Sequence, residues 1–321
     1  MRILLTGATG FVGRGLLARL SSLSDIELVA AVRDATVILS KNTRSITVAG
    51  LYPDTDWQQS LDRVSVVIHA AARVHVMRDS APDPLFEFRR INVEGTLNLA
   101  RQAVDAGVQR FIFVSSIKVN GEGTTAGSPY FADTAPSPSD PYAISKLEAE
   151  RGLLALAEES GMEVVIIRPP LVYGPGVKAN FLSMMRWLYR GVPLPLGAIC
   201  NRRSLVALEN LVDLIVTCID HPAAGNQVFL VSDGEDLSTT ELLRRMGLAL
   251  GKPARLLAVP GWMLEAGGML MGKRVLSQRL CGSLQVNIDK TCELLNWMPP
   301  VSVEEALKKT ANDFLSRQAN S

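Results

Sequence analysis

The sequence predicts an α/β protein built on a doubly wound parallel sheet with a smaller C-terminal domain. Short β-branched apolar runs alternate with longer helical patterns through the first half, as buried parallel strands alternate with their crossover helices. A string of glycines fills the turn between the first such run and the first helical pattern. After residue 168 the alternation breaks up on Pro169, Pro170, Pro175, Pro193 and Pro195. The domain change is placed there, with 1–168 as the sheet domain and 169–321 as mainly the second, from which segments can rejoin the main sheet. In order, the apolar runs predict strands over 2–6, 27–33, 46–48, 64–69, 110–114 and 163–168. Helical spacing predicts helices over 12–23, 85–106 and 140–160 between them.

Gly7-Ala8-Thr9-Gly10-Phe11-Val12-Gly13 directly follows the first strand and opens the first helix. Glycines stand where the turn must be tight and where backbone must approach a pyrophosphate, and the free N–H groups of the helix start favour an anion. In that position the string predicts a Rossmann-type dinucleotide site. The second strand ends Ala30-Ala31-Val32-Arg33-Asp34, where the two nicotinamide dinucleotides are told apart. Arg33 can fork onto the 2′-phosphate of NADP, whereas Asp34 suits the 2′-hydroxyl of NAD; NADP(H) is favoured and NAD(H) stays open.

Composition excludes several other classes. With 47% hydrophobic and 20% charged residues and a net charge of +1, the chain reads as a soluble globular protein without a nucleic-acid footprint. Cys200, Cys218, Cys281 and Cys292 stand far apart, without Cys-x-x-Cys or a nearby His, which predicts free thiols and no metal site. The start runs into the glycine turn without a charged and apolar leader, so a mature cytoplasmic chain is expected. Residues 256–272 are apolar but broken by Pro260, Glu265 and glycines; they predict a packed helix, with a membrane-surface face as the alternative. His69, His75 and His221 fit no catalytic arrangement and read as packing or surface residues.

Tyr142-Ala143-Ile144-Ser145-Lys146 opens the 140–160 helix, and the spacing of four sets phenol and ammonium on one face. A phenol ordinarily titrates near pKa ~10, so proton exchange with an alcohol or ketone at neutral pH needs that value lowered. A fixed Lys cation and an oxidised nicotinamide would both lower it. The pair follows the strand ending Val114-Ser115-Ser116, at the carboxyl ends where parallel sheets bind ligands.

Together these residues resemble the extended short-chain dehydrogenases/reductases, in particular the NAD(P)-dependent nucleotide-sugar epimerase/dehydratase branch. The resemblance runs through Gly7 to Gly13, His69-Ala70-Ala71-Ala72, Asn92 in Ile91-Asn92-Val93-Glu94-Gly95-Thr96, Ser116, Tyr142 and Lys146. It continues in Arg168-Pro169-Pro170-Leu171-Val172-Tyr173-Gly174-Pro175-Gly176 and ends at Leu295-Asn296-Trp297 with Pro299. It implies that Ser116 hydrogen-bonds the reacting sugar oxygen, that Tyr142 exchanges the proton there, and that Lys146 bonds the nicotinamide ribose. Cofactor contacts are implied at Gly7, Thr9, Gly10, Phe11, Val12, Gly13, Arg33, Ala70, Ala71, Ala72, Tyr142, Lys146 and Pro169, with Asn92 bracing the cleft. Asn180 and Arg203 would hold the diphosphate of a UDP-sugar in the substrate-binding C-terminal domain, with Arg279 a further candidate. Lys118 either contacts substrate or points to solvent. The resemblance also implies a homodimer packed through 85–106 and 140–160, although apolar stripes there could equally face the sheet.

Sugar-nucleotide dehydratases of this family carry an Asp-Glu pair directly after the catalytic Thr; here those positions are Ile117 and Lys118, which argues against dehydration. Chemistry at one carbinol carbon remains. Asn120 within Ser115-Ser116-Ile117-Lys118-Val119-Asn120-Gly121-Glu122, with Gly282-Ser283-Leu284-Gln285-Val286, resembles a subgroup of bacterial surface-polysaccharide (O-antigen) synthesis. The expectation is an NADPH-dependent 4-ketoreductase of a UDP-linked 4-keto-6-deoxy-N-acetylhexosamine. The alternative is a UDP-glucose or UDP-N-acetylglucosamine 4-epimerase that keeps NAD bound. A non-catalytic NADP-binding sensor is a third reading, against which Ser116, Tyr142 and Lys146 argue. Gly50-Leu51 stands where the family often has Gly-Asp, which leaves the usual adenine contact open.

Overall fold

The structure, a computed structural model, describes residues 1–34, 36, 43–74, 83–125, 127–270 and 280–319. Its main sheet has seven parallel strands in the order β3-β2-β1-β4-β5-β6-β9. These are β1 (Arg2–Thr6), β2 (Glu27–Val32), β3 (Thr43–Thr47), β4 (Val66–His69), β5 (Arg110–Val114), β6 (Glu163–Arg168) and β9 (Gln227–Leu230). The strand order reverses between β1 and β4, which opens a crevice at their carboxyl ends. All residues of β1 and β4 are buried, as expected where helices cover both faces of a sheet.

On one face, α1 (Phe11–Leu20) and α7 (Leu208–Thr217) press Leu16, Leu20, Leu211 and Ile215 onto Ile3, Leu5 and Ile68. On the other, α4 (Thr96–Asp105) and α5 (Pro141–Ser160) bury Leu99, Ala103, Ala149 and Leu153 against Val67, Phe111 and Val164. The apolar stripes of 85–106 and 140–160 are thus taken up by the sheet, which leaves the homodimer resting on the resemblance alone. A second sheet of three strands, β10-β8-β7, is formed by β7 (Leu171–Tyr173), β8 (Arg203–Ala207) and β10 (Asp236–Leu237). It shares a third core, including Tyr173, Met185, Leu243 and Phe314, with α6 (Ala179–Tyr189), α8 (Thr239–Ala249) and the helix Val303–Ala319.

Some boundaries differ from the sequence reading. Arg33 was expected inside the second strand, which ends instead at Val32, and the third strand begins at Thr43 rather than 46. The pattern over 85–106 read as one helix. It is a short α3 (Pro84–Phe88), a π-helical stretch Arg89–Gly95, and then α4. A π turn shifts the helix face by about one residue without breaking it, so apolar periodicity passes over it. The shift buries Asn92, and Gly95 lets the helix meet the backbone of Leu51, where a Cβ would fall 2.6 Å from the Leu51 oxygen. The helix α9 (Gly261–Leu270) packs Leu264 inward and exposes Trp262 and Met269. Among the described residues no helix is long and apolar enough to cross a membrane.

Candidate active site

The crevice begins at the glycine turn. Gly7 has φ 71°, and a Cβ on it would lie 2.7 Å from the backbone of Ala70 and Ala71 on the loop after β4. A Cβ on Gly13 would fall 1.9 Å from the Gly7 oxygen, so only glycine allows the helix to start this close to the strand. Gly10 donates its N–H to Gly7 O at 2.9 Å and is the N-cap of α1, with no side chain capping the helix. The first N–H groups of α1, at Phe11 and Val12, are therefore left for an anion, and the exposed Thr9 borders them. This cradle fits the pyrophosphate of a dinucleotide.

Asn92, fully buried in the π stretch, ties the neighbouring segments together. Its Oδ1 accepts from Arg73 N at 2.8 Å; its Nδ2 donates to Arg73 O and to Ser145 Oγ, each at 3.0 Å. The Ala70-Ala71-Ala72 loop is thereby fixed to the helix of the Tyr/Lys pair. Ser145 Oγ in turn donates to Tyr142 O at 2.8 Å.

Helix α5 starts where the sequence places it, because Asp140 caps it: its Oδ1 accepts from Ala143 N at 2.7 Å, with Pro141 in the first turn. Tyr142 lies in that first turn, half-buried, with Phe88 edge-on at 6.1 Å. Lys146, one turn on, is 1% exposed; its Nζ donates to Val114 O at 2.7 Å and stands 4.0 Å over the Phe113 ring. Burial pulls the Lys146 ammonium down to about 7, opposed by the charge of Glu150. Tyr142 departs from the expectation. Burial first and the charge of Asp140 second raise its phenol above the usual value, and Lys146 is not among the causes. Spacing put the cation on the right face but could not foresee that its ammonium is turned to the Val114 carbonyl and partly discharged.

Ser116 ends the β5 segment, half-buried, and caps the turn Ile117–Val119, its Oγ accepting from Lys118 N at 3.3 Å. Its O–H keeps a proton to donate. Pro169, after β6, supports the turn by accepting from Ile117 N at 3.0 Å. Lys118, expected either to contact substrate or to point to solvent, pairs its Nζ with Asp140 and, at 3.3 Å, with Glu122.

The remaining candidates are dispersed. Arg33 is exposed just beyond β2, and Asp34 beside it accepts from Thr36 N at 2.9 Å and Thr36 Oγ1 at 2.7 Å, bonds that lower its pKa. Asn180 is exposed at the start of α6. Arg203 opens β8, and its guanidinium donates to Gly282 O at 2.8 Å. Arg279 and His75 lie outside the described residues. His69 is enclosed, bonded to Thr6 Oγ1 at 2.7 Å and Thr96 Oγ1 at 3.0 Å; burial, then the Lys146 charge, lowers it to about 3. His221 caps the short turn Pro222–Ala224. Among the described residues the four cysteines form no disulfide, and no cluster could hold a metal.

Sequence reading missed a buried polar network beneath the crevice. Glu150, 2% exposed, pairs with Arg168 at 2.5 Å and accepts from Ser115 Oγ; Arg168 donates to Asn120 Oδ1 at 3.1 Å. It joins β5, β6 and α5 directly below Ser116. A charged residue closing the apolar strand 163–168 and Glu150 one turn after Lys146 were the available signals. A cavity of about 620 Å³ lies outside the glycine turn, between α1, α7 and the Pro175–Gly176 loop; Tyr142 and Ser116 do not line it.

A glycine cradle at the switch point of a parallel sheet, with a tyrosine and buried lysine one helical turn apart beside it, defines a nicotinamide-dependent enzyme of the Tyr/Lys type. The comparisons narrow the class. The family described as "NAD dependent epimerase/dehydratase family" matches residues 3–232, and the chain belongs to it. It is 53% identical over 319 residues to a UDP-glucose 4-epimerase of Vibrio cholerae, covering 99% of this chain and 96% of that protein. A GDP-6-deoxy-D-mannose reductase of Pseudomonas aeruginosa is 26% identical, covering 98% of each. Among solved structures, UDP-glucose 4-epimerase with UDP-glucose from Thermotoga maritima matches with a TM-score of 0.78 at 22% identity, covering 99% of this chain and 100% of that one. The protein is thus an NAD(P)-dependent nucleotide-sugar enzyme of the extended short-chain dehydrogenase/reductase type.

Proposed function

We propose that the protein is a 4-epimerase of a UDP-hexose, UDP-glucose in the first instance, working with retained NAD. The observation that carries this reading is the 53% identity, over almost the whole chain, to a UDP-glucose 4-epimerase. It reverses the order expected from Arg33, which put the NADPH-dependent 4-ketoreductase first. Arg33 is exposed and sits in a family described as NAD dependent.

In this proposal the first N–H groups of α1 hold the cofactor's pyrophosphate, and Lys146 bonds its nicotinamide ribose. A nicotinamide held there would supply reversible hydride acceptance at the sugar C4, with return to either face of the 4-keto sugar. Ser116 donates its O–H to the C4 oxygen and fixes its position. Tyr142 takes the C4 hydroxyl proton and gives it back. With its phenol raised by burial and Asp140, Tyr142 is a poor base in the protein alone. An oxidised nicotinamide held by Lys146 and the α1 cradle would add a positive charge that favours the Tyr142 phenolate.

Purified protein is incubated with UDP-glucose without added cofactor, and the products are separated by chromatography. The C4 epimer should form, and denaturing the protein should release NAD. Consumption of added NADPH with a UDP-4-keto-6-deoxy-N-acetylhexosamine, and no epimer from UDP-glucose, would establish the ketoreductase instead. That second reading keeps one specific support: if Arg33 grips a 2′-phosphate, Arg33→Ala weakens NADPH binding tenfold or more (~1.4 kcal/mol) and leaves NADH unchanged. Equal losses for both dinucleotides would remove it.

A further inference from the structure

The two candidate hydroxyls sit on separate segments, Ser116 at the turn after β5 and Tyr142 in the first turn of α5. One side chain joins those segments. The Nζ of Lys118 forms an ion pair with Asp140 Oδ2, while Asp140 Oδ1 caps α5 by accepting from Ala143 N at 2.7 Å. The two side chains are 29% and 26% exposed, so water screens the pair only in part. The backbone N–H of Lys118 also donates to Ser116 Oγ. A single residue therefore touches Ser116 through its amide and, through its ammonium, the cap two residues before Tyr142.

We infer that Lys118 is a positioning residue for the Ser116 and Tyr142 hydroxyls, acting through Asp140. It holds the serine turn against the start of α5 and balances the carboxylate beside the phenol. For its chemistry this rests on the reading that Tyr142 accepts the C4 hydroxyl proton.

The charges around the phenol give the inference its sign. Lys146 lies on the same helix but turns its Nζ to Val114 O. Arg73, from the loop after β4, stands over the ring of Phe88, which meets Tyr142 edge-on. Arg89 in the π stretch pairs with Glu148 of α5 at 2.6 Å. Asp140 is the charged group that raises the phenol. With the Lys118 charge removed, the field of Asp140 at the phenol grows, which favours the protonated Tyr142 and withholds the base the first step needs. Lys118, reaching across from the serine turn, meets that carboxylate directly and shares its ammonium with Glu122 at 3.3 Å, so its effect on the phenol runs through Asp140.

The test uses the holoenzyme with Lys118→Met, Lys118→Arg, Asp140→Asn and the Lys118→Met/Asp140→Asn double variant. Asn caps a helix about as well as Asp, so α5 keeps its start. Two readouts are taken: the pH profile of kcat with UDP-glucose, and the phenolate difference absorbance, assigned to Tyr142 by its loss in Tyr142→Phe. Lys118→Met should move the ionisation about one pH unit to the alkaline side and lower kcat near neutrality about tenfold at unchanged KM. Lys118→Arg should restore both. Asp140→Asn should move the ionisation to the acid side, and Lys118→Met should change little in that background. A kcat lowered equally at every pH, or an undiminished effect of Lys118→Met in Asp140→Asn, overturns the inference. The absorbance titration needs no turnover. An unmoved titration sinks the inference, whereas a moved titration without epimerisation sinks only the epimerase reading.

Discussion

Tyr142 is a phenol whose surroundings in the protein alone oppose its task, since burial and Asp140 both hold its proton. Removing the hydroxyl should therefore cost the proton transfer and little else. Tyr142→Phe is expected to lower kcat by roughly 10²- to 10⁴-fold while the purified protein retains its dinucleotide, measured by release on denaturation. A variant with near-parental turnover would remove Tyr142 from the reaction. Glu150 shows the opposite kind of dependence, structural rather than chemical. Its carboxylate is enclosed against Arg168 at 2.5 Å, with Ser115 as a further donor. Glu150→Gln leaves the Arg168 charge buried without its counter-ion, and should lower stability by about 3–5 kcal/mol in denaturant titration. A loss well below that range would mean that water or Asn120 satisfies Arg168.

Among the elements, the glycine turn and the π stretch do most to shape the crevice. Gly13 lies against the Gly7 carbonyl, so Gly13→Ala must push α1 away from β1. The first N–H groups of α1 then leave the place where a pyrophosphate would sit. Gly13→Ala should be purified without bound dinucleotide, while its far-UV circular dichroism stays close to that of the parent. Full cofactor content in this variant would contradict the assignment of the cradle. The π stretch acts in the other direction, fastening three segments through Asn92, with bonds to Arg73 and Ser145. Its extra residue turns an amide inward from a surface that is otherwise helical and solvated.

For the molecule as a whole, two buried bases at the carboxyl end of the sheet contribute to the pH dependence of stability. His69 has a folded pKa of about 3 against an ordinary 6.5. Below pH 6.5 the unfolded chain takes up a proton there that the folded protein refuses, so stability falls as pH goes from 6.5 towards 3. Lys146 is lowered from 10.5 to about 7. Between those values the unfolded chain holds the extra proton, so this site adds stability as pH rises through that window. Urea midpoints measured against pH should fall less steeply on the acid side in His69→Gln, and rise less on the alkaline side in Lys146→Met. Slopes identical to the parent's would show that other groups control both limbs.

Much of the fold could be read from the chain because strands and helix starts are local. The apolar runs 2–6, 110–114 and 163–168 coincide with β1, β5 and β6, and the helical pattern 140–160 coincides with α5. The glycine turn and the Tyr/Lys spacing were legible for the same reason, since backbone conformation and a four-residue interval are fixed by sequence. Only the tertiary structure decided what those groups meet. It set Lys146 against the Val114 carbonyl, placed Asp140 beside the phenol, brought Lys118 across 22 residues to that carboxylate, and closed Glu150 onto Arg168. Charge, burial and hydrogen-bond partners act through space between segments far apart in the chain. The residue types at this site were therefore written in the sequence, and their electrostatics arose when the segments packed together.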